Sequence, residues 1–265
     1  MSAQATPPLR PPGLGLLLAE ARSLIELNAS LLLAPVLLRA CKGDGHPVLV
    51  LPGLLASDLS TALLRRFLTH LGYRSFAWEL GRNIGGVYGM RAKLGDRLTR
   101  IHELTGRKVS LVGWSLGGVY ARDLALHRPE LVRSVITLGS PFARDLTATN
   151  GRRIYERLSG ESLDNVAAAD LQALAGALPV PTTSIYSRGD GIVNWRTSVL
   201  QPSASAENIE VCLASHIGLT VNAAVLWAVA DRLAQPEGTF RPFDRGGPFA
   251  IAYPPLKPAN SSQRA

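Results

Sequence analysis

The sequence predicts an α/β protein built on one mostly parallel sheet of about six strands, a reduced sheet with helices on both faces. Short runs rich in Val, Leu, Ile and Thr alternate with longer helical runs, the order that crossover connections impose on parallel strands. Most of the short runs are continuously apolar rather than alternating, as strands buried on both faces must be. A chain of 265 residues, 46% hydrophobic and 18% charged, supplies a sizeable core.

Residues 1–45 are expected to form an amino-terminal arm and a Leu-rich helix. Met1 to Pro12 is Pro-rich and lacks the charged start, short apolar core and small-residue cleavage site of a secretory signal, so a cytoplasmic location is expected. Leu14 to Cys41 is no membrane span, because Glu20, Arg22, Glu26 and Asn28 interrupt it and Pro35 would kink it. It is expected to lie as an amphipathic helix on the domain or on a lipid surface.

Residues 46–234 carry the core. Strands are predicted at Pro47–Leu51, Tyr73–Trp78, Lys108–Gly113, Val132–Leu138, Thr182–Tyr186 and Asn208–Leu213, and helices at Ser57–Leu71, Arg91–Leu104, Leu116–His127 and Leu219–Ala234. Ser57-Asp58 supplies N-cap types, and Gly106 a C-cap. Residues 141–180 exceed what the topology needs and read as a cap or lid insertion, with weak helical patterns at Arg152–Leu158 and Asn165–Ala177. Residues 235–265 form a Pro/Gly-rich arm whose Phe240, Phe243, Phe249, Ile251 and Tyr253 suit packing along part of its length.

The formal charge of +8 and pI near 10 raise a nucleic-acid reading, but the cations are scattered and only four of the 28 are Lys. Without several cations on one face the electrostatic footprint is missing, so no nucleic-acid partner is expected. Two cysteines, Cys41 and Cys212, make no disulfide framework. Both are expected as free, partly buried thiols, Cys212 within the last strand.

Gly113-Trp114-Ser115-Leu116-Gly117 follows a predicted strand directly and opens a predicted helix, the setting in which a serine sits on a sharp, strained turn as a nucleophile. Gly113, Gly117 and Gly118 would remove side chains from that tight strand-helix contact. A serine hydroxyl needs a base and a group that orients the base. Of five histidines, His46 precedes the first strand, His70 and His102 lie in helical runs and His127 ends one; His216 alone follows the last strand. The acid should follow a strand between the two, which favours Asp190 in Ser187-Arg188-Gly189-Asp190-Gly191, with Asp145 the rival. Oxyanion donors are expected from the N–H of Leu116 and, after Leu51-Pro52-Gly53, from Leu54 or its neighbour Leu55.

These four segments in this order resemble the α/β-hydrolase superfamily over about Pro47 to Leu233, and within it bacterial esterases and small lipases. The resemblance implies an α/β-hydrolase fold with Ser115 as nucleophile, Asp190 as acid, His216 as base, and Leu54 and Leu116 lining the oxyanion hole. Pro52 stands where many relatives have the His of a His-Gly pair, and Trp114 where many lipases have His. The amino-terminal helix takes the place of the first strands of the larger fold. The implied reaction is carboxylic-ester hydrolysis through an acyl-enzyme, with no metal or organic cofactor. The Leu-rich helix, Leu54-Leu55 and the cap suggest small-molecule, lipid-like or apolar acyl esters, with Leu55 and Trp114 as substrate-binding residues. Acyl transfer through the same acyl-enzyme and a catalytically silent binding protein are the alternatives.

Overall fold

Pro47-Val48-Leu49-Val50-Leu51 is apolar at every position, and in the computed structural model it is a strand buried along its whole length. The structure describes residues 9–143, 145–165, 167–201 and 203–255. Among them the strands are β1 (Pro47–Leu51), β2 (Arg74–Phe76), β3 (Val109–Trp114), β4 (Val132–Leu138), β5 (Thr182–Tyr186) and β6 (Ala206–Glu210). They form one sheet in the order β2-β1-β3-β4-β5-β6, and every neighbouring pair is parallel.

The helices, in chain order, are α1 (Leu14–Leu18), α2 (Ser23–Leu32), α3 (Ala34–Leu37), α4 (Ala62–His70), α5 (Val87–Thr105), α6 (Leu116–His127), α7 (Arg152–Ser159), α8 (Ala168–Ala175) and α9 (Ala223–Leu233). Two-sided burial follows from the strand period of two. Val48 and Val50 join a core with Leu64 and Phe67 of α4 and Val225 and Val229 of α9. Leu49 and Leu51 point the other way, into a core with Leu94 and Leu98 of α5 and Tyr120 and Leu124 of α6. Asn222 caps α9, its Oδ1 accepting the N–H of Ala224 at 3.0 Å, and Gly106 ends α5 in the left-handed conformation at φ 65°.

Several elements differ from expectation. The stretch from Leu14 is three short helices, with a 3₁₀ turn at Ala19–Arg22 and a break at Leu33. Pro35 lies in the first turn of α3, where its missing N–H costs nothing; it starts a helix rather than kinking one. Asp58 does not cap α4: its carboxylate accepts the N–H of Trp78 at 3.0 Å and of Glu79 at 3.2 Å, tying down the loop after β2. β6 ends at Glu210, because the N–H of Cys212 turns to the Ala252 carbonyl at 2.8 Å. Cys212 therefore lies outside the strand, and both it and Cys41 are exposed thiols.

Between β4 and β5 the chain makes α7, a 3₁₀ turn at Leu163–Asn165 and α8. Arg122 of α6 fastens the far end of this excursion, donating to the carbonyls of Leu174 and Gly176 at 2.5 Å each with its guanidinium over the Phe142 ring. Burial lowers the Arg122 pKa to about 10. The carboxyl arm inserts Phe243, Phe249 and Tyr253 into the valine side of the core, and the Tyr253 hydroxyl donates to the Ala224 carbonyl at 2.6 Å. Ile251 instead is 97% exposed. The first eight and last ten residues of the expected arms lie outside the described residues. Among the described residues no helix is long and apolar enough to cross a membrane.

Candidate active site

Ser115 stands between β3 and α6 at φ 55° and ψ −124°, a conformation costly for any residue with a Cβ. Its neighbours show why the turn is so tight. A Cβ on Gly113 would lie 2.3 Å from the Gly117 carbonyl oxygen, and one on Gly117 would lie 2.2 Å from the Leu51 carbonyl oxygen. Both positions admit only hydrogen, as the motif predicts. The Ser115 N–H is held by the Leu138 carbonyl at 2.8 Å.

His216 and Asp190 meet. Nδ1 of His216 lies 2.6 Å from Oδ2 of Asp190, and both side chains are buried. The other carboxylate oxygen of Asp190 accepts the N–H groups of Ile192 at 2.9 Å and Val193 at 2.7 Å, which aims the pair. Burial disfavours the imidazolium, but the charge and hydrogen bond of Asp190, with the charge of Glu20 behind it, outweigh that cost and raise the His216 pKa. Trp114 is buried and packs against the His216 ring, its Nε1–H donating to the His216 carbonyl at 2.9 Å.

The sequence reading missed the residues that hold these loops. Glu20 is buried, and one carboxylate oxygen accepts the N–H groups of Gly191 at 2.8 Å and His216 at 2.9 Å. The other accepts Ile217 N–H at 2.9 Å. Arg22 donates to the carbonyls of Gly189 at 2.5 Å, Leu213 at 3.0 Å and Ala214 at 3.1 Å. Glu26 accepts from Ser215 N–H at 2.9 Å and Asn222 Nδ2 at 2.8 Å. The helices before β1 thus clamp the Asp190 and His216 loops together.

A cavity of about 420 Å³ opens beside the elbow, within the usual range for small-molecule sites. Ser115, His216, Leu54, Leu55, Leu116 and Trp114 all line it, with Ile154 and Leu163 of the excursion opposite. Leu54 and Leu116 have no acceptor for their N–H groups among the described residues, whereas the N–H of Leu55 is spent on the Asn83 carbonyl at 2.7 Å. That bond removes Leu55 as the alternative donor. Asn83, also missed, is buried and zips this loop: its Nδ2 donates to the Pro52 carbonyl at 2.9 Å, and its Oδ1 accepts the Tyr120 hydroxyl at 3.0 Å.

The rival residues lie elsewhere. The Asp145 carboxylate accepts the N–H and hydroxyl of Thr147 at 2.9 and 2.6 Å in a local turn. At the opposite end of the sheet, His46 bridges Asp44 at 2.5 Å and Ser110 at 3.0 Å, an acid-His-Ser sequence of its own. Ser110 and His46 are fully buried and line neither described cavity; burial pushes the His46 pKa down to about 4. Among the described residues no group of three or more His, Cys, Asp or Glu could hold a metal ion.

No protein-family model matches the chain, and no curated protein matches it. Solved structures do. Aspergillus fumigatus lipase B is similar with a TM-score of 0.56 at 17% identity, over 73% of this chain and 53% of that one, so the chain spans about half of that lipase's length. Bacillus licheniformis lipase BlEst2 is similar with a TM-score of 0.54 at 18% identity, over 75% of this chain and 95% of that one. An α/β superfamily hydrolase from Oenococcus oeni PSU-1 gives 0.53 at 15% identity, over 71% and 91%. The parallel sheet, the strand-turn-helix at Ser115 and these likenesses agree: the chain has the α/β-hydrolase fold.

Proposed function

We propose that the protein is a serine hydrolase of carboxylic esters, with Ser115 as nucleophile, His216 as base and Asp190 as the acid that orients it. One observation carries the reading. His216, paired at 2.6 Å with the buried Asp190, lines the same cavity as a serine held at positive φ on a strand-helix turn. Ser115 Oγ attacks the ester carbonyl carbon as Nε2 of His216 takes the hydroxyl proton, and the oxyanion that forms is held by the N–H groups of Leu54 and Leu116. Collapse breaks the ester bond, and the leaving alcohol takes the proton from His216. Water then attacks the acyl carbonyl and gives a proton to His216; collapse breaks the Ser115 Oγ–acyl bond, His216 returns the proton to Oγ, and the acid leaves.

The apolar wall of the cavity, with Leu54, Leu55, Ile154 and Leu163, supports medium-chain or lipid-like acyl esters. The Aspergillus fumigatus and Bacillus licheniformis structural neighbours are lipases. The test is a panel of p-nitrophenyl esters of increasing acyl length on wild type and Ser115→Ala. Turnover should peak at an intermediate chain length and fall about a thousandfold or more in the variant. Turnover retained by folded Ser115→Ala overturns the mechanism.

A further inference from the structure

A surface helix ordinarily turns its apolar face to the core and its charges to water. The segment from Leu14 to Leu38 does the reverse. Its three charged residues, Glu20, Arg22 and Glu26, turn inward onto the Asp190 and His216 loops. Its outward face is built from Leu14, Leu18, Leu24, Ile25, Leu31 and Leu32, each between 57% and 83% exposed. That face carries no charge along its length, but exposed cations flank it: Arg10 before, Arg39 and Lys42 after.

The cavity lining has exposed apolar side chains as well. Ile217, whose N–H is held by Glu20, lines the cavity and is 44% exposed; Leu55, also in its lining, is 43% exposed. Leu213, beside Arg22, adds a further exposed apolar side chain.

We infer that this face docks on an anionic lipid bilayer, with the apolar ridge in the acyl boundary and the flanking cations at the headgroups. Charge complementarity selects that occupant over a second copy. Pairing the segment with itself, antiparallel, sets Arg10 against Arg39 and Lys42, and parallel pairing sets each cation against its own kind, with no carboxylate on the face to offset either. Anionic headgroups complement both ends at once. Docked so, the bilayer holds the segment whose Glu20 binds the N–H of Ile217 in the cavity lining.

The experiment is co-sedimentation of the full chain with phosphatidylcholine vesicles containing phosphatidylglycerol at about one part in three, and with pure phosphatidylcholine vesicles. Wild type should partition onto the anionic vesicles, and more weakly onto the neutral ones. Leu24→Gln/Ile25→Gln should lose about a hundredfold in partition, the loss of two buried leucine-sized side chains, while keeping the wild-type circular dichroism and Tm. Leu18→Gln/Leu32→Gln, on other turns of the same face, should do likewise and decides the matter where the first variant fails to fold. Wild type that ignores anionic vesicles, or folded variants that bind like wild type, overturns the inference. So does a wild-type dimer in sedimentation without vesicles that the variants abolish, since a second copy then occupies the face. Partition needs no turnover, so the result stands apart from the ester-hydrolase reading.

Discussion

The carboxylate of Glu20 accepts the backbone N–H of His216 at 2.9 Å, and the same oxygen accepts that of Gly191, next to Asp190, at 2.8 Å. One oxygen therefore spaces the two loops whose side chains meet in the His216–Asp190 bond. The residue that supplies it lies before the first strand of the sheet.

Glu20→Gln tests that coupling. The amide keeps the size but replaces one acceptor oxygen with an NH2, so a buried donor faces a donor, at a cost of about 1–3 kcal/mol. The expected result is a roughly tenfold fall in kcat on a p-nitrophenyl ester with KM little changed, because the cavity wall is untouched. Unaltered kcat would show that the loops hold their spacing without Glu20.

The pH-rate profile tests the electrostatics. A base works only when neutral, and the His216 pKa is raised, so kcat/KM should fall on acidification through a midpoint above the ordinary histidine value of about 6.5. The same raised pKa means that the imidazolium-carboxylate pair stabilises the fold at low pH and that this contribution is lost as pH rises through the folded value. Removing the Glu20 charge withdraws one of the raising causes, so the acid limb of Glu20→Gln should move to lower pH. An unmoved limb would assign the raised value to Asp190 alone.

Asp190→Asn and Asp145→Asn separate the two acids. An asparagine at 190 can still accept from Ile192 and Val193 through its oxygen, but its NH2 then faces Nδ1 of His216 and imposes the wrong tautomer. Turnover should fall by roughly 10³ to 10⁴. Asp145→Asn should stay near wild type, since its carboxylate serves only a local turn. The opposite ranking would move the acid to residue 145.

Much of this is legible in the amino-acid sequence. A continuous apolar run marked β1, runs rich in β-branched residues marked β4 and β5, each with its bounds, and the glycines around Ser115 marked the turn, because these signals are local. The Asp190 and Asp145 alternatives could not be separated that way, since both follow strands and only the packed sheet brings one of them to His216. Leu55 was lost as an oxyanion donor to a carbonyl distant in sequence, that of Asn83. Glu20 and Glu26 read as interruptions of a Leu-rich helix. Their spacing with Ser23 and Ser30 makes a polar stripe at helical period, yet periodicity finds a stripe without saying which side meets the protein. Ordinary amphipathic logic turns it to water, and here it faces the core.

Arg122 belongs to the same helix that Ser115 begins, and it grips the carboxyl end of the excursion over the cavity at the Leu174 and Gly176 carbonyls. The elbow and that corner of the roof are consequently one mechanical piece. Room for a bulkier ester comes from the other corner, where Leu146, Ile154 and Leu163 line the cavity on the stretch ahead of α8. Laboratory evolution toward larger substrates should gather its substitutions there and leave Arg122 alone, because loosening the anchor would slacken the serine turn along with the roof.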